Sequence, residues 1–146
     1  MMRQGRAPNG AARPRGASAR QAYGSLARVD LDALVGDWLT LSDLASRLGT
    51  SPNGVRRLLE ERELVGVRRG SPKVLSVPAD FLDGDVPLPA LKGTLMVLGD
   101  IGFSDEEMIE WLFTPDDTLP GGAAHPTAAM RAGFKTEVRR RAMEQL

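Results

Sequence analysis

Ser51, Asn53, Arg56 and Arg57 lie close together in the chain, and a second basic cluster, Arg68, Arg69 and Lys73, follows them. These side chains suit recognition better than bond making. A guanidinium can set two parallel N–H donors on guanine O6 and N7, and the Asn53 carboxamide can match adenine in the same bidentate way. Long cations on a protruding turn can reach phosphate oxygens or a minor groove. Each cluster also has a plainer reading. Arg56 and Arg57 could be solvated charges balanced by Glu60, Glu61 and Glu63, and Arg68, Arg69 and Lys73 could guard an edge strand against aggregation.

Residues for covalent or metal chemistry are scarce. There is no cysteine, which removes disulfides, thiolate catalysis and Cys-based zinc sites together. The single histidine, His125, precedes Pro126 and reads as a loop or capping residue. Asp105, Glu106, Glu107 and Glu110 crowd an expected helix N-terminus, where acids suit the macrodipole. Gly93, Gly99 and Gly102 have neither the spacing nor the strand context of a phosphate-binding loop. The chain therefore reads as a non-enzyme with no cofactor and no metal.

The elements that must position the basic clusters follow from periodicity. Leu31, Leu34, Val35, Trp38 and Leu39 recur at helical spacing and predict a short amphipathic helix. Thr40 with Asp43 has the form of a capping box, opening a helix whose apolar face is Leu41, Leu44, Ala45 and Leu48. Gly49 ends it. Ser51 then offers a capping hydroxyl and Pro52 a first helical residue, with Val55, Leu58 and Leu59 facing inward. Counted from Leu41, the fifth, ninth, fifteenth and eighteenth positions are Ala45, Gly49, Val55 and Leu58. A helix-turn-helix needs a small residue where its helices cross, a glycine in the tight turn, and two apolar anchors. Ser51, Asn53, Gly54, Arg56 and Arg57 would then lie on the outer face of the second helix. Gly54 costs about 1 kcal/mol against alanine in a helix interior, and its missing side chain would allow close approach to DNA.

From Leu64 the period changes to two. Val65 and Val67, the turn Gly70-Ser71-Pro72, and 73–77 predict a hairpin, with Arg68, Arg69 and Lys73 at its tip. Phe81 and Leu82 should fold back on the core, and 83–89 read as a boundary. Leu88, Leu91, Leu95 and Leu98 make one helical stripe. Ser104 and Glu107 cap a helix through Met108, Ile109, Trp111, Leu112 and Phe113, and Met130, Phe134, Val138 and Ala142 predict one final helix. The expected fold is mostly α with a small β-hairpin wing: a winged helix-turn-helix at 29–84 followed by a helical bundle at 85–146.

Net charge is zero, but it is unevenly spread. Residues 1–29 carry six arginines and no acid, 30–82 carry seven bases against eight acids, and 83–146 carry six bases against eleven acids. Residues 1–28 hold almost nothing large and apolar, so they read as a disordered basic tail. No apolar run approaches the roughly 18 residues of a membrane span, and the arginine-rich start lacks a signal-peptide core. The expected location is cytoplasmic and nucleoid-associated.

The strings Leu39-Thr40-Leu41-Ser42-Asp43-Leu44-Ala45, Leu48-Gly49-Thr50-Ser51 and Val55-Arg56-Arg57-Leu58-Leu59 are similar to excisionase-like winged helices. Gly102-Phe103-Ser104-Asp105-Glu106-Glu107, Trp111-Leu112-Phe113-Thr114-Pro115-Asp116 and Glu137-Val138-Arg139-Arg140-Arg141-Ala142 resemble an actinobacterial family. Its members are winged helix-turn-helix DNA-binding proteins with an added helical C-terminal domain, and they include a mycobacterial Ser/Thr-kinase substrate. The resemblance covers about 30–146. It implies double-stranded DNA as partner, for a regulator of transcription or a nucleoid-associated protein. A homodimer and a Ser/Thr kinase acting on the tail are further candidate partners, and Ser18, Tyr23 and Ser25 are the tail's candidate phosphorylation sites. The Trp111-Leu112 helix, the turn Leu119-Pro120-Gly121-Gly122 and the last helix are also similar to toxin-binding domains of antitoxins. An antitoxin-like interaction module with a DNA-binding N-terminal domain is therefore the alternative.

Overall fold

Asp30 opens the first helix: its carboxylate accepts the Asp32 and Ala33 amides at 3.0 and 3.4 Å, capping α1 (Leu31–Val35). The computed structural model describes residues 30–146. The tail at 1–28, with the disorder and modification expected for it, lies outside the described residues. The helix expected to reach Leu39 stops early, at Gly36, whose φ of +88° turns the chain out of the helical path. Trp38–Thr40 instead form strand β1. Their partner is distant in sequence, which is why local spacing misread them.

Thr40 then serves two elements. It ends β1 and caps α2 (Leu41–Leu48), with its hydroxyl accepting the Asp43 amide and the Asp43 carboxylate accepting the Thr40 amide, both at 3.3 Å. Gly49, at φ +69°, closes α2 in the left-handed conformation. Ser51 accepts the Gly54 amide at 3.2 Å and starts α3 (Pro52–Glu60) with Pro52 in its first turn. Leu44, Ala45 and Val55 are buried where these helices meet.

The hairpin consists of β2 (Val67–Arg69) and β3 (Val74–Pro78), paired Val67 to Ser76, Arg68 to Leu75 and Arg69 to Val74. Strand β1 adds to the other edge of β3, with Leu39 opposite Val77, so the antiparallel order is β1-β3-β2. The wing is thus anchored to the strand that leads directly into α2. Gly66 brings the chain in: a Cβ there would stand 2.6 Å from the Ser76 carbonyl oxygen, so only glycine permits this approach.

The segment read as a boundary is structured. A 3₁₀ turn (Ala79–Phe81) leads to a small second hairpin, β4 (Leu82–Asp83) with β5 (Val86–Pro87). Beyond it lie α4 (Leu91–Asp100), α5 (Asp105–Phe113), α6 (Pro126–Arg131) and α7 (Lys135–Met143). The single final helix expected from Met130 to Ala142 is two, because Gly133 at φ +101° separates α6 from α7. Ser104 and Glu107 form the expected capping box on α5.

One apolar cluster runs through both parts of the chain. It joins Leu44, Val55, Val77 and Phe81 to Leu95, Ile109, Leu112, Phe113 and Val138. The Phe81 and Phe113 rings lie 5.4 Å apart at 37°, a tilted aromatic contact. Arg62 bridges to Asp105 at 2.8 Å, tying the end of α3 to the start of α5. The protein is mostly helical with small antiparallel sheets, as its sequence patterns imply.

A shared core predicts shared unfolding. Phe81→Ala should lower stability by about 3–5 kcal/mol. Single-tryptophan variants retaining Trp38 or Trp111 should report the same urea midpoint, both in the parent and after that substitution. Separate midpoints would show two independent units.

Candidate nucleic-acid interface

Ser51, Asn53, Arg56 and Arg57 are exposed on α3, and Arg68 and Lys73 are exposed on the wing. The two elements face each other across an open cleft of about 420 Å³. Arg56, Arg68 and Lys73 line it with Thr40, Leu41 and Ser42 from the start of α2 and Val74 and Leu75 from the wing. Ser51, Asn53 and Arg57 stand outside this cleft, the first two at the N-terminal end of α3 and Arg57 in its last turn. The Arg56 guanidinium donates to Asn53 Oδ1 at 3.1 Å, which orients two of the expected base-reading groups against each other.

Arg69 is placed differently. Alternation along β2 turns it away from Arg68, and it donates to Asp32 on α1 at 2.6 Å. Its guanidinium carbon also lies 4.9 Å from the centre of the Trp38 ring. The Arg69 hydrogen bond holds the Asp32 carboxyl below the ordinary carboxylate range. Arg69 thus joins α1, β1 and β2, while its neighbours in the cluster face the cleft.

The structure also adds residues. Thr40 appears in the sequence only as a cap, and Ser42 has no periodic signature, yet both border the cleft. Only a helix start placed beside the wing reveals them. Gly54 has a local reason for lacking a side chain: a Cβ there would overlap Thr50 Oγ1, and it would stand 3.2 Å from Thr50 Cβ. Packing within the turn accounts for this glycine without any ligand.

The remaining candidates resolve into structural roles. His125 caps α6, its Nδ1 accepting the Ala128 amide at 3.1 Å, and its ring lies 5.1 Å from Phe113. Burial lowers its pKa, against an opposing pull from Asp80. Arg140 pairs with Glu137 and Glu144, both at 2.6 Å, and Arg141 pairs with Asp116 and Glu137 at 3.2 and 2.8 Å. Burial works against the Asp116 charge, but bonds from Thr118 and the Arg141 cation outweigh it and keep its carboxyl low. Among the described residues, no group of three or more metal-ligating side chains gathers. No helix there is long and apolar enough to cross a membrane.

With this geometry in place, comparison with known proteins is informative. Residues 28–82 match the family described as "DNA-binding protein Rv2175c, wHTH domain", and 88–145 match "Rv2175c C-terminal domain of unknown function". The chain is 35% identical over 111 residues to "DNA-binding protein Rv2175c" of Mycobacterium tuberculosis (strain ATCC 25618 / H37Rv), covering 70% of this chain and 75% of that one. The chain belongs to the Rv2175c family. The NMR structure of Rv2175c superposes with a TM-score of 0.65 at 32% identity, covering 73% of this chain and 79% of that one. The family's two segments meet at the β4–β5 hairpin, so its winged helix comprises α1 to β3 with the 3₁₀ turn.

Two measurements test the local assignments. Gly54→Ala should destabilise the chain despite alanine's usual advantage in a helix of about 1 kcal/mol, and Thr50→Ala should relieve that loss. If Gly54→Ala stabilises the parent, the overlap with Thr50 is wrong. For His125, the folded pKa lies below the ordinary value of about 6.5, so the unfolded chain binds the extra proton first. Stability should therefore be flat above that pH and decline as pH falls from about 6.5 toward 5. His125→Asn keeps a capping oxygen without a titrating ring, and should flatten the dependence in urea melts.

Proposed function

We propose that this chain binds double-stranded DNA through its winged helix-turn-helix, as a regulator of transcription or a nucleoid-associated protein. The observation that carries the reading is the convergence of Arg56, Arg68 and Lys73 on one cleft from α3 and the wing. Among the described residues none of the three has an ion-pair partner. Three such cations bordering a cleft suit a phosphodiester track. The name of the M. tuberculosis relative supports the same ligand.

In this reading α3 enters the major groove by its N-terminal half. Ser51, Asn53 and Arg57 approach base edges or flanking phosphates, while Arg56, Arg68 and Lys73 hold the backbone. Arg69 keeps the wing at its angle through Asp32 and Trp38 and touches no DNA. A homodimer would present two recognition helices to neighbouring half-sites. A kinase adding phosphate to Ser18, Tyr23 or Ser25 would reduce the positive charge of the arm. The antitoxin-like reading has less behind it, since the cleft beside Trp111 is spanned by Arg141, already held by Asp116, Thr118 and Glu137.

Fluorescence anisotropy with duplex DNA over a range of salt concentrations tests this proposal. Affinity should fall with salt, and each of Arg56→Ala, Arg68→Ala and Lys73→Ala should reduce the log–log slope by about 0.9. Arg69→Ala should lower the melting temperature and leave that slope near the parent value. Binding that ignores salt, or a slope indifferent to all three cleft substitutions, would refute the assignment.

A further inference from the structure

The C-terminal half is acid-rich; of the six cations in 83–146 three are ion-paired in place, and Lys92, Lys135 and Arg139 are not. Arg131 pairs with Asp80 at 3.6 Å, Arg140 with Glu137 and Glu144, and Arg141 with Asp116 and Glu137. Lys135 and Arg139 differ. Among the described residues neither has an ion-pair partner, although eleven acids occur within 83–146. Both border a second cleft, of about 310 Å³, between the start of α4 and the start of α7. Its other walls are Pro89, Ala90, Gly93 and Thr136, and no carboxylate lines it.

This placement is electrostatically unfavourable for an empty protein. Lys135 is the first residue of α7, where the helix dipole disfavours a cation. Arg139 follows one turn later on the same face, and like charges at that spacing repel. The guanidinium lies against α4 at Gly93: a Cβ there would make ordinary van der Waals contact, 3.5 Å from an Arg139 guanidinium nitrogen. An anion between the two cations would reverse each penalty.

We propose that this cleft is a binding site for a phosphate group. The Arg139 fork can donate two parallel N–H bonds to phosphate oxygens, Lys135 supplies a compact charge, and the Thr136 hydroxyl is a further donor. The site shares no residue with the cleft of Arg56, Arg68 and Lys73. The phosphate comes either from a DNA backbone reaching the C-terminal half or from a small phosphorylated molecule, and the same chemistry recognises both.

Inorganic phosphate is the first probe, titrated at constant ionic strength into the isotope-labelled full chain. Saturable amide shifts are expected at Gly93, Lys135, Thr136 and Arg139. The double variant Lys135→Ala with Arg139→Ala should weaken them by roughly tenfold or more, because two charged donors are lost. Gly93→Asp sets a carboxylate against Arg139 and should block phosphate while both cations remain. If that variant unfolds, the exposed double substitution decides alone. Absence of saturable shifts, or shifts unchanged in the double variant, would overturn the proposal. A duplex DNA titration then distinguishes the sources. A salt slope reduced by about 1.8 in the double variant marks the DNA backbone, and an unchanged slope with lost phosphate binding marks a small ligand.

Discussion

The contact between Phe81 and Phe113 is the constraint on which the rest of this structure depends. Phe81 comes from the 3₁₀ turn that directly follows the wing strand β3, and Phe113 ends α5. Their exposures are 0% and 2%, so neither ring has an alternative surface to cover. A winged helix of this size has little interior of its own, because small folds bury a smaller fraction of their surface. Stacking the root of the wing on α5 makes the four C-terminal helices part of that interior. His125 extends the contact, with its ring 5.1 Å from that of Phe113. The wing, the 3₁₀ turn and the C-terminal helices therefore cannot be placed independently.

The recognition helix is held by the same logic. Val55 is fully buried, but Leu58 and Leu59 are only partly so, leaving the far end of α3 weakly anchored by packing. Arg62 restrains it there. Its φ of +60°, unusual for a side-chain-bearing residue, ends the helical path, and its guanidinium reaches Asp105 at the start of α5. An exposed ion pair adds little stability, so its value here is orientation. Arg69 does the same for the wing from the opposite side, through Asp32 and Trp38. In both cases an ion-paired cation sets the angle of an element.

Most of the winged helix was legible because its signals are local. Thr40 with Asp43, Gly49, and Ser51 with Pro52 each act within a turn of themselves, and all occur as their chemistry implies. The capping box at Ser104 and Glu107 was readable for the same reason. What was hidden depended on distant partners or single backbone angles. Trp38 to Thr40 have helical spacing and become a strand because β3 offers them an edge. The final helix divides because Gly133 takes a positive φ that no periodicity records. At the candidate interface, the basic residues could be named but not sorted. Arg68 and Arg69 are adjacent in sequence, and only the pleat of β2 sends one to the cleft and the other to Asp32.

That sorting explains how a chain of zero net charge can present a cationic surface. Charge repulsion and attraction decay over about 10 Å in moderate salt, so a ligand responds to the cations it faces and not to the total. Across the described residues, acids are spent on cations that do structural work: Asp32 on Arg69, Asp105 on Arg62, Asp80 on Arg131, and Glu137 on Arg140 and Arg141. Of the eight described cations left without an ion pair, five border concave surface, Arg56, Arg68 and Lys73 at one cleft and Lys135 and Arg139 at another, while Arg47, Arg57 and Lys92 lie outside both. Neutrality overall and positive charge locally follow from one arrangement, because the ion pairs that fix the helices against each other take up acids and leave the cations of these clefts unpaired.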